Sequence, residues 1–297
     1  MKGLTTIDRL SRADLDTLVR RGSDIRDRLD AGSEAERPLE GMCVANLFFE
    51  PSTRTRLSFD LAAQRLGADV ITFNPETAST KKGESLKDTV LTVAAIGADV
   101  LVVRHEQNGV PQRVAEWTGL PVVNAGDGTH EHPTQMLVDA VTIWRHFGRF
   151  EDLRMAIVGD VSHSRVAGSL TKGMPSLGVD LTLIGPEEWL PEETAGCRTS
   201  SSLDDLLETL DVVYLLRVQT ERGGEITSDY VDRYQLDAAR SASLGTDAVV
   251  LHPGPMNRGV EIAEEVAESP RCLVTEQVRN GVPVRMAVLG AIAEGAL

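Results

Sequence analysis

Apolar positions in this chain follow two rhythms. Short apolar runs, bounded by turn-forming residues, predict buried strands over 44–49, 70–73, 100–103, 122–123, 155–158, 181–184, 212–216 and 248–251. Between them, apolar residues recur at i, i+3, i+4 and i+7, as Phe59, Ala62, Ala63 and Leu66 do, and predict helices. These cover 11–29, 53–66, 85–96, 110–117, 133–147, 165–174, 203–210 and 284–296. The alternation implies an α/β fold of two similar-sized domains, each a parallel sheet flanked by helices and joined by bridging helices. The 133–147 helix is the expected bridge, so the domains read as 1–132, completed by 284–297, and 133–283. Glu221-Arg222-Gly223-Gly224-Glu225 reads as a mobile loop.

Composition narrows the class. The 297 residues carry a formal charge of −15, which argues against nucleic acid as a partner. No apolar run reaches a membrane span and the N-terminus has no apolar signal core, so a cytoplasmic protein is expected. Cys43, Cys197 and Cys272 are odd in number and far apart, and read as packing residues rather than a disulfide framework. If the ligands are anions, positive charge must gather locally against the protein's own field.

Candidate chemistry lies just past the predicted strands, where α/β sheets place their binding groups. In Phe48-Phe49-Glu50-Pro51-Ser52-Thr53-Arg54-Thr55-Arg56, a strand ends and a helix begins among hydroxyls and guanidinium groups. That pattern suits phosphate or a similar anion better than a simple helix cap. Lys81 and Lys82 read on their own as solvated surface. Arg104 follows the 100–103 strand, placed for a site or for an ion pair. His132 precedes Pro133 at a helix start, where the positive helix end favours a neutral, hydrogen-bond-donating imidazole. His130-x-His132 has no third ligand at a fitting spacing, so no metal is expected. Gly159-Asp160-Val161-Ser162-His163-Ser164 lacks the glycine-rich dinucleotide turn, so no nucleotide cofactor is expected. Arg165 and Arg217 could clamp a dicarboxylate, one guanidinium to each carboxylate. Gln219, Arg222 and His252-Pro253-Gly254-Pro255 add polar groups beyond later strands. With no activated serine or cysteine, the set suits holding two anions and stabilising developing negative charge.

Residues 49–56, His132-Pro133-Thr134-Gln135, Arg217-Val218-Gln219 and His252-Pro253-Gly254-Pro255 resemble, in order and spacing, the catalytic chains of the aspartate carbamoyltransferase family. The resemblance covers essentially the whole chain. It implies transfer of the carbamoyl group of carbamoyl phosphate to the amine of L-aspartate in pyrimidine synthesis, without cofactor. It also implies that Ser52, Thr53, Arg54 and Thr55 hold phosphate, and that Thr55, Arg104 and His132 donate to the carbonyl oxygen. Gln135 and the carbonyls near Pro253, Gly254 and Pro255 hold the carbamoyl NH2 or the incoming amine. Arg165, Arg217 and Gln219 hold the aspartate carboxylates. Glu50 pairs with Arg165 and Arg222 on domain closure. The family forms trimers with shared active sites, which turns Lys82 from surface into a ligand of a neighbouring site. Ala78 stands where the family often has serine, with Ser79 one position later. Regulatory chains or a dihydroorotase remain open as further partners. The competing readings are a carbamoyltransferase with another acceptor, such as ornithine, and a non-catalytic phosphate- or amino-acid-binding protein.

Overall fold

A computed structural model describes residues 3–33, 36–73, 83–192, 194, 196–219 and 226–297. Lys81, Lys82, Ala78, Ser79, Arg222 and the 221–225 segment lie outside the described residues. The chain divides into two compact units: Met1–Val141 with Val278–Leu297, and Thr142–Gln277.

The first unit is built on five parallel strands in the order β1-β5-β4-β2-β3. They are β1 (Gly3–Leu4), β2 (Cys43–Phe48), β3 (Asp69–Phe73), β4 (Val100–His105) and β5 (Val122–Asp127). Helices α1 (Arg12–Asp30), α2 (Arg54–Arg65), α3 (Leu86–Ile96) and α4 (Val110–Thr118) alternate with them. The continuous apolar character of β2 and β4 follows from burial on both sheet faces: Ala45, Leu47, Leu101 and Val103 pack with Val90, Val110 and Val114 on one, and the alternating Val44, Val100 and Val102 are fully buried on the other. Ser11 caps α1 through a reciprocal bond with Asp14, and Ser85 caps α3.

The second unit repeats the plan, with parallel strands in the order β10-β9-β6-β7-β8. These are β6 (Arg154–Val158), β7 (Asp180–Ile184), β8 (Arg198–Ser200), β9 (Val212–Leu215) and β10 (Val249–Leu251). Its helices are α6 (Arg165–Leu177), α7 (Ser228–Tyr234), α8 (Ala238–Ser243) and α9 (Glu264–Ala267). Helices α5 (Pro133–Phe147) and α10 (Val274–Ala293) each contribute residues to both units. Among the described residues, no helix is long and apolar enough to cross a membrane.

Beyond shifts of one to three residues at other element ends, three elements differ from the sequence expectation. The 203–210 segment is not an α-helix: successive i to i−3 bonds run through it, and only Leu207–Thr209 forms a 3-10 turn. Its helix-like spacing reports burial, since Leu203, Leu207 and Leu210 all enter the core. Strand β5 runs four residues beyond the expected 122–123, because Asn124 and Asp127 are buried polar residues that satisfy each other, Asn124 Nδ2 donating to Asp127 Oδ1 at 2.8 Å. Helix α10 starts ten residues before the expected 284, through polar positions such as Gln277 and Asn280 that are also buried. The short strands β1 and β8 and helices α7, α8 and α9 carry too few residues for a readable period.

Leu101 lies at the centre of the first sheet and is fully buried. Leu101→Ala is expected to lower the unfolding free energy by about 3 kcal/mol, read from denaturant unfolding.

Candidate active site

In the first sheet the chain moves from β2 outward to β3 and then returns to the other side of β2 with β4. The crevice between the carboxyl ends of β2 and β4 is therefore a topological switch point, where such sheets bind ligands. The loop 49–53 leaves β2 and delivers the chain into α2, while β4 ends in Arg104 and His105. Phe48 and Arg104 are register partners, and the Phe49 N–H donates to the Arg104 carbonyl at 2.9 Å. That pairing holds Glu50 beside Arg104, Oε2 to Nε 3.4 Å, and Arg104 also donates to the Ala125 carbonyl at 3.2 Å.

At the start of α2, Thr53 flanks the helix without a side-chain capping bond. Ser52, Thr53 and Arg54 make no side-chain hydrogen bond among the described residues, and Thr55 is buried. Burial pulls the Arg54 guanidinium below its ordinary value, and no carboxylate among the described residues offsets it. Hydroxyls, helix N–H groups and a partly buried guanidinium thus meet at one helix start, an arrangement chemically suited to an anion.

Strand β5 delivers the third wall of this edge. Asp127, at its end, accepts from the Gly109 N–H at 2.7 Å, Asn124 Nδ2 at 2.8 Å and the Glu131 N–H at 3.2 Å, with His130 Nδ1 at 3.1 Å. Burial opposes its ionisation, but the bonds from His130, Asn124 and Gly109 prevail and hold its carboxyl below the ordinary value. Glu131, fully buried, accepts from the Thr6 hydroxyl and from the Ile7 N–H at 2.9 Å, fastening β1's following turn to the segment that presents His132. His132 is itself buried, and its carbonyl accepts the first bonds of α5 from Gln135 and Met136. The imidazole therefore sits at the positive end of α5. One turn on, Gln135 Nε2 donates to Asp139 Oδ1 at 2.9 Å. Arg285 of α10 lies wholly buried near Asp139 and over the Phe59 ring, and burial lowers its guanidinium to about 10.

The second sheet has its own switch point, between β6 and β9. The turn after β6 passes so close to the chain leaving β9 that a Cβ on Gly159, whose φ is +120°, would lie 2.9 Å from the Leu216 carbonyl oxygen. Asp160 follows, fully buried; its Oδ2 accepts the Gln219 N–H at 3.0 Å and its Oδ1 lies 2.7 Å from His163 Nδ1. Arg217 and Gln219 bond each other reciprocally, Arg217 Nη2 to Gln219 Oε1 and Gln219 Nε2 to the Arg217 carbonyl, both at 3.2 Å. Arg165 opens α6 behind its Ser164 cap and is buried. Past β10 comes the turn 252–255, in which Pro253 and Gly254 are partly exposed and Gly254 has a φ of +67°.

Each unit thus gathers its predicted residues at its own sheet edge. Ser52, Thr53, Arg54, Thr55, Arg104, His132, Gln135 and Glu50 belong to the first; Arg165, Arg217, Gln219, Pro253, Gly254 and Pro255 belong to the second. Among the residues that sequence reasoning did not single out are the buried carboxylates Asp127, Glu131, Asp139 and Glu261. Asp127 and Glu131 carried a signal: acidic residues flanking His130 immediately before a helix. Cys43, Cys197 and Cys272 are free, half-buried thiols whose pKa burial raises, so they are poor nucleophiles.

Two parallel α/β units, each with charged groups at its own switch point, give the architecture of a ligand-binding α/β protein. The family model for "Aspartate/ornithine carbamoyltransferase, carbamoyl-P binding domain" matches residues 2–145, and that for the "Asp/Orn binding domain" matches 151–292. The aspartate carbamoyltransferase catalytic subunit of Acidothermus cellulolyticus is 50% identical, covering 99% of this chain and 93% of its own. That of Carboxydothermus hydrogenoformans is 45% identical over 99% and 96%. Among solved structures, Trypanosoma cruzi aspartate transcarbamoylase with N-(phosphonacetyl)-L-aspartic acid superposes with a TM-score of 0.90 at 31% identity, covering 98% of this chain and 95% of that one. The catalytic subunit of M. jannaschii aspartate transcarbamoylase gives 0.88 at 33% identity, with 99% of both covered. The chain belongs to the aspartate/ornithine carbamoyltransferase family.

The depressed Asp127 carboxyl has a signed consequence. Its contribution to stability is complete above the ordinary value of 3.8 and is lost as pH falls below it. Asp127→Asn is expected to reduce stability at pH 7 by about 2 kcal/mol and to flatten the acid limb of a stability–pH curve measured by denaturant unfolding.

Proposed function

We propose that this chain transfers the carbamoyl group of carbamoyl phosphate to the amine of L-aspartate, giving N-carbamoyl-L-aspartate and phosphate, as a step of pyrimidine synthesis. The observation that carries this reading is the pairing of two different charged edges in one chain. One is the start of α2, where the partly buried Arg54 has no carboxylate offsetting it among the described residues. The other is an arginine-bearing edge after β6 and β9, with Arg217 held by Gln219. Two guanidinium groups suit a dicarboxylate acceptor and repel a cationic one.

In this mechanism Ser52, Thr53, Arg54 and Thr55 bind the phosphate, joined by Lys82 from a neighbouring chain. The amine attacks the carbamoyl carbon, a C–N bond forms and negative charge builds on the carbonyl oxygen. Thr55, Arg104 and His132 donate to that oxygen; donors held in place by the fold need little reorganisation as charge develops. Gln135 and the carbonyls of Pro253 and Gly254, with Pro255 closing their turn, orient the carbamoyl NH2 and the amine. Arg165, Arg217 and Gln219 hold the two carboxylates. The C–O bond to phosphate then breaks, and the departing phosphate takes the amine's proton. Glu50 and Arg222 act in closing the site around both substrates.

The enzyme works in the cytoplasm as a homotrimer with shared active sites. Support for association comes from apolar side chains left open on α2 and α3, Leu57 and Leu61 one turn apart and Ile96 at 70% exposed.

Turnover is expected with carbamoyl phosphate and L-aspartate but not with L-ornithine, measured as product formation by purified chain. Turnover with ornithine alone overturns the acceptor assignment of Arg165 and Arg217, and binding of carbamoyl phosphate without turnover overturns the catalytic reading. His132→Ala is expected to cost about 3 kcal/mol in the transition state, read as kcat/KM. Mixing Arg54→Ala chains with Lys82→Ala chains is expected to restore part of the activity that each lacks alone; no recovery in proven mixed oligomers contradicts a shared site.

A further inference from the structure

The turn after β10 is held from behind by a buried carboxylate to which the reaction described above gives no part. His252 is 1% exposed and so is Glu261. The Gly254 N–H donates to His252 Nδ1 at 2.8 Å. A backbone N–H can only donate, so Nδ1 accepts and the neutral ring carries its proton on Nε2. His252 Nε2 stands 3.0 Å from Glu261 Oε1 and donates to it. The same oxygen takes the Asn257 N–H at 2.6 Å. The other end of the turn is tied by the His252 N–H to Gln277 Oε1 at 2.9 Å.

Glu261 is in turn immobile. Its carbonyl accepts the Leu236 N–H at 3.0 Å, and the next residue, Ile262, is fully buried in the second unit's core. Both of its side-chain bonds fall on Oε1, while the buried Oε2 accepts none among the described residues. A carboxylate kept in the interior with one oxygen unsatisfied is costly to stability. Such a group is retained where it fixes a geometry that an apolar residue could not.

We infer that Glu261 is a positioning residue for the acceptor half of the reaction: through His252 Nε2 and the Asn257 N–H it fixes the turn 252–257, and with it the direction of the Pro253 and Gly254 carbonyls. This rests on the reading that those carbonyls orient the amine. The chain of command runs from Ile262 and Leu236 to Glu261, from Glu261 to the His252 ring, and from the ring to the Gly254 backbone.

The test is steady-state carbamoyl transfer by the full chain and by its Glu261→Ala and Glu261→Gln variants. Glutamine keeps an acceptor oxygen for both N–H groups; alanine removes it. Glu261→Ala is expected to raise KM for L-aspartate about tenfold or more, the loss of charge-assisted bonds within a binding turn, with KM for carbamoyl phosphate changed by less than about threefold. Glu261→Gln is expected to restore KM for aspartate to within about threefold of the parent. A folded Glu261→Ala chain with unchanged KM for aspartate overturns the inference, as does a glutamine variant impaired as severely as alanine. Should alanine prevent folding, 15N-edited NMR of the parent's histidine rings decides, with His252→Asn assigning the signal. A proton on His252 Nε2 supports the inference and one on Nδ1 overturns it. A parent chain inactive with aspartate removes the functional reading instead, and the ring's tautomer still reports whether Glu261 holds the turn.

Discussion

A parallel sheet buried on both faces leaves polar chemistry only one place to go, the ends of its strands. In the first unit the central strands β2 and β4 are apolar almost throughout, and the charged groups Glu50, Arg54 and Arg104 all fall at or beyond their carboxyl ends. The second unit obeys the same constraint with Asp160, Arg165 and Arg217. In both sheets the reversal of strand order opens a crevice at that edge, so the fold dictates where the ligands bind and the loops dictate which ligands they are.

Chemistry for anions in a chain of net charge −15 needs positive groups shielded from the protein's own carboxylates. The local solution differs between the edges. At the start of α2 the Arg54 guanidinium is partly buried and has no carboxylate offsetting it among the described residues, which suits the proposed role in holding an anion. At the end of β5 the acidic residues Asp127 and Glu131 are turned inward and spent on backbone N–H groups and side chains, where they brace His132. Both carboxylates thus serve as supports for the chain that presents His132. The same device recurs in the second unit, where Asp160 holds the Gln219 backbone and Glu261 holds the turn after β10.

Much of this was legible in the sequence because its signals are local. Helix α5 begins at Pro133 and ends at Phe147 as the periodicity and the proline predict, and α1 and α3 start behind the serines at 11 and 85. Residue roles that spacing alone could not suggest, those of Gln135 and Gly254 among them, come from the family resemblance and stand as proposals. What stayed hidden was polar burial. Asn124 and Asp127 extend β5, and Gln277 and Asn280 extend α10, because each polar group finds a partner distant in sequence or across a turn. Single-sequence patterns treat such residues as surface, so strands and helices that bury them look shorter than they are. The 203–210 segment shows the converse: leucines at helical spacing enter the core from a chain of turns.

The central claim is that the start of α2 is a built anion site and that Arg54 is its principal charge. Calorimetric titration of inorganic phosphate and of carbamoyl phosphate, without aspartate, into the parent chain and into Arg54→Ala tests it directly. The account predicts that both ligands bind the parent at one competitive site and that Arg54→Ala loses about tenfold or more in affinity for each. Equal affinity of the folded variant for both ligands would contradict it.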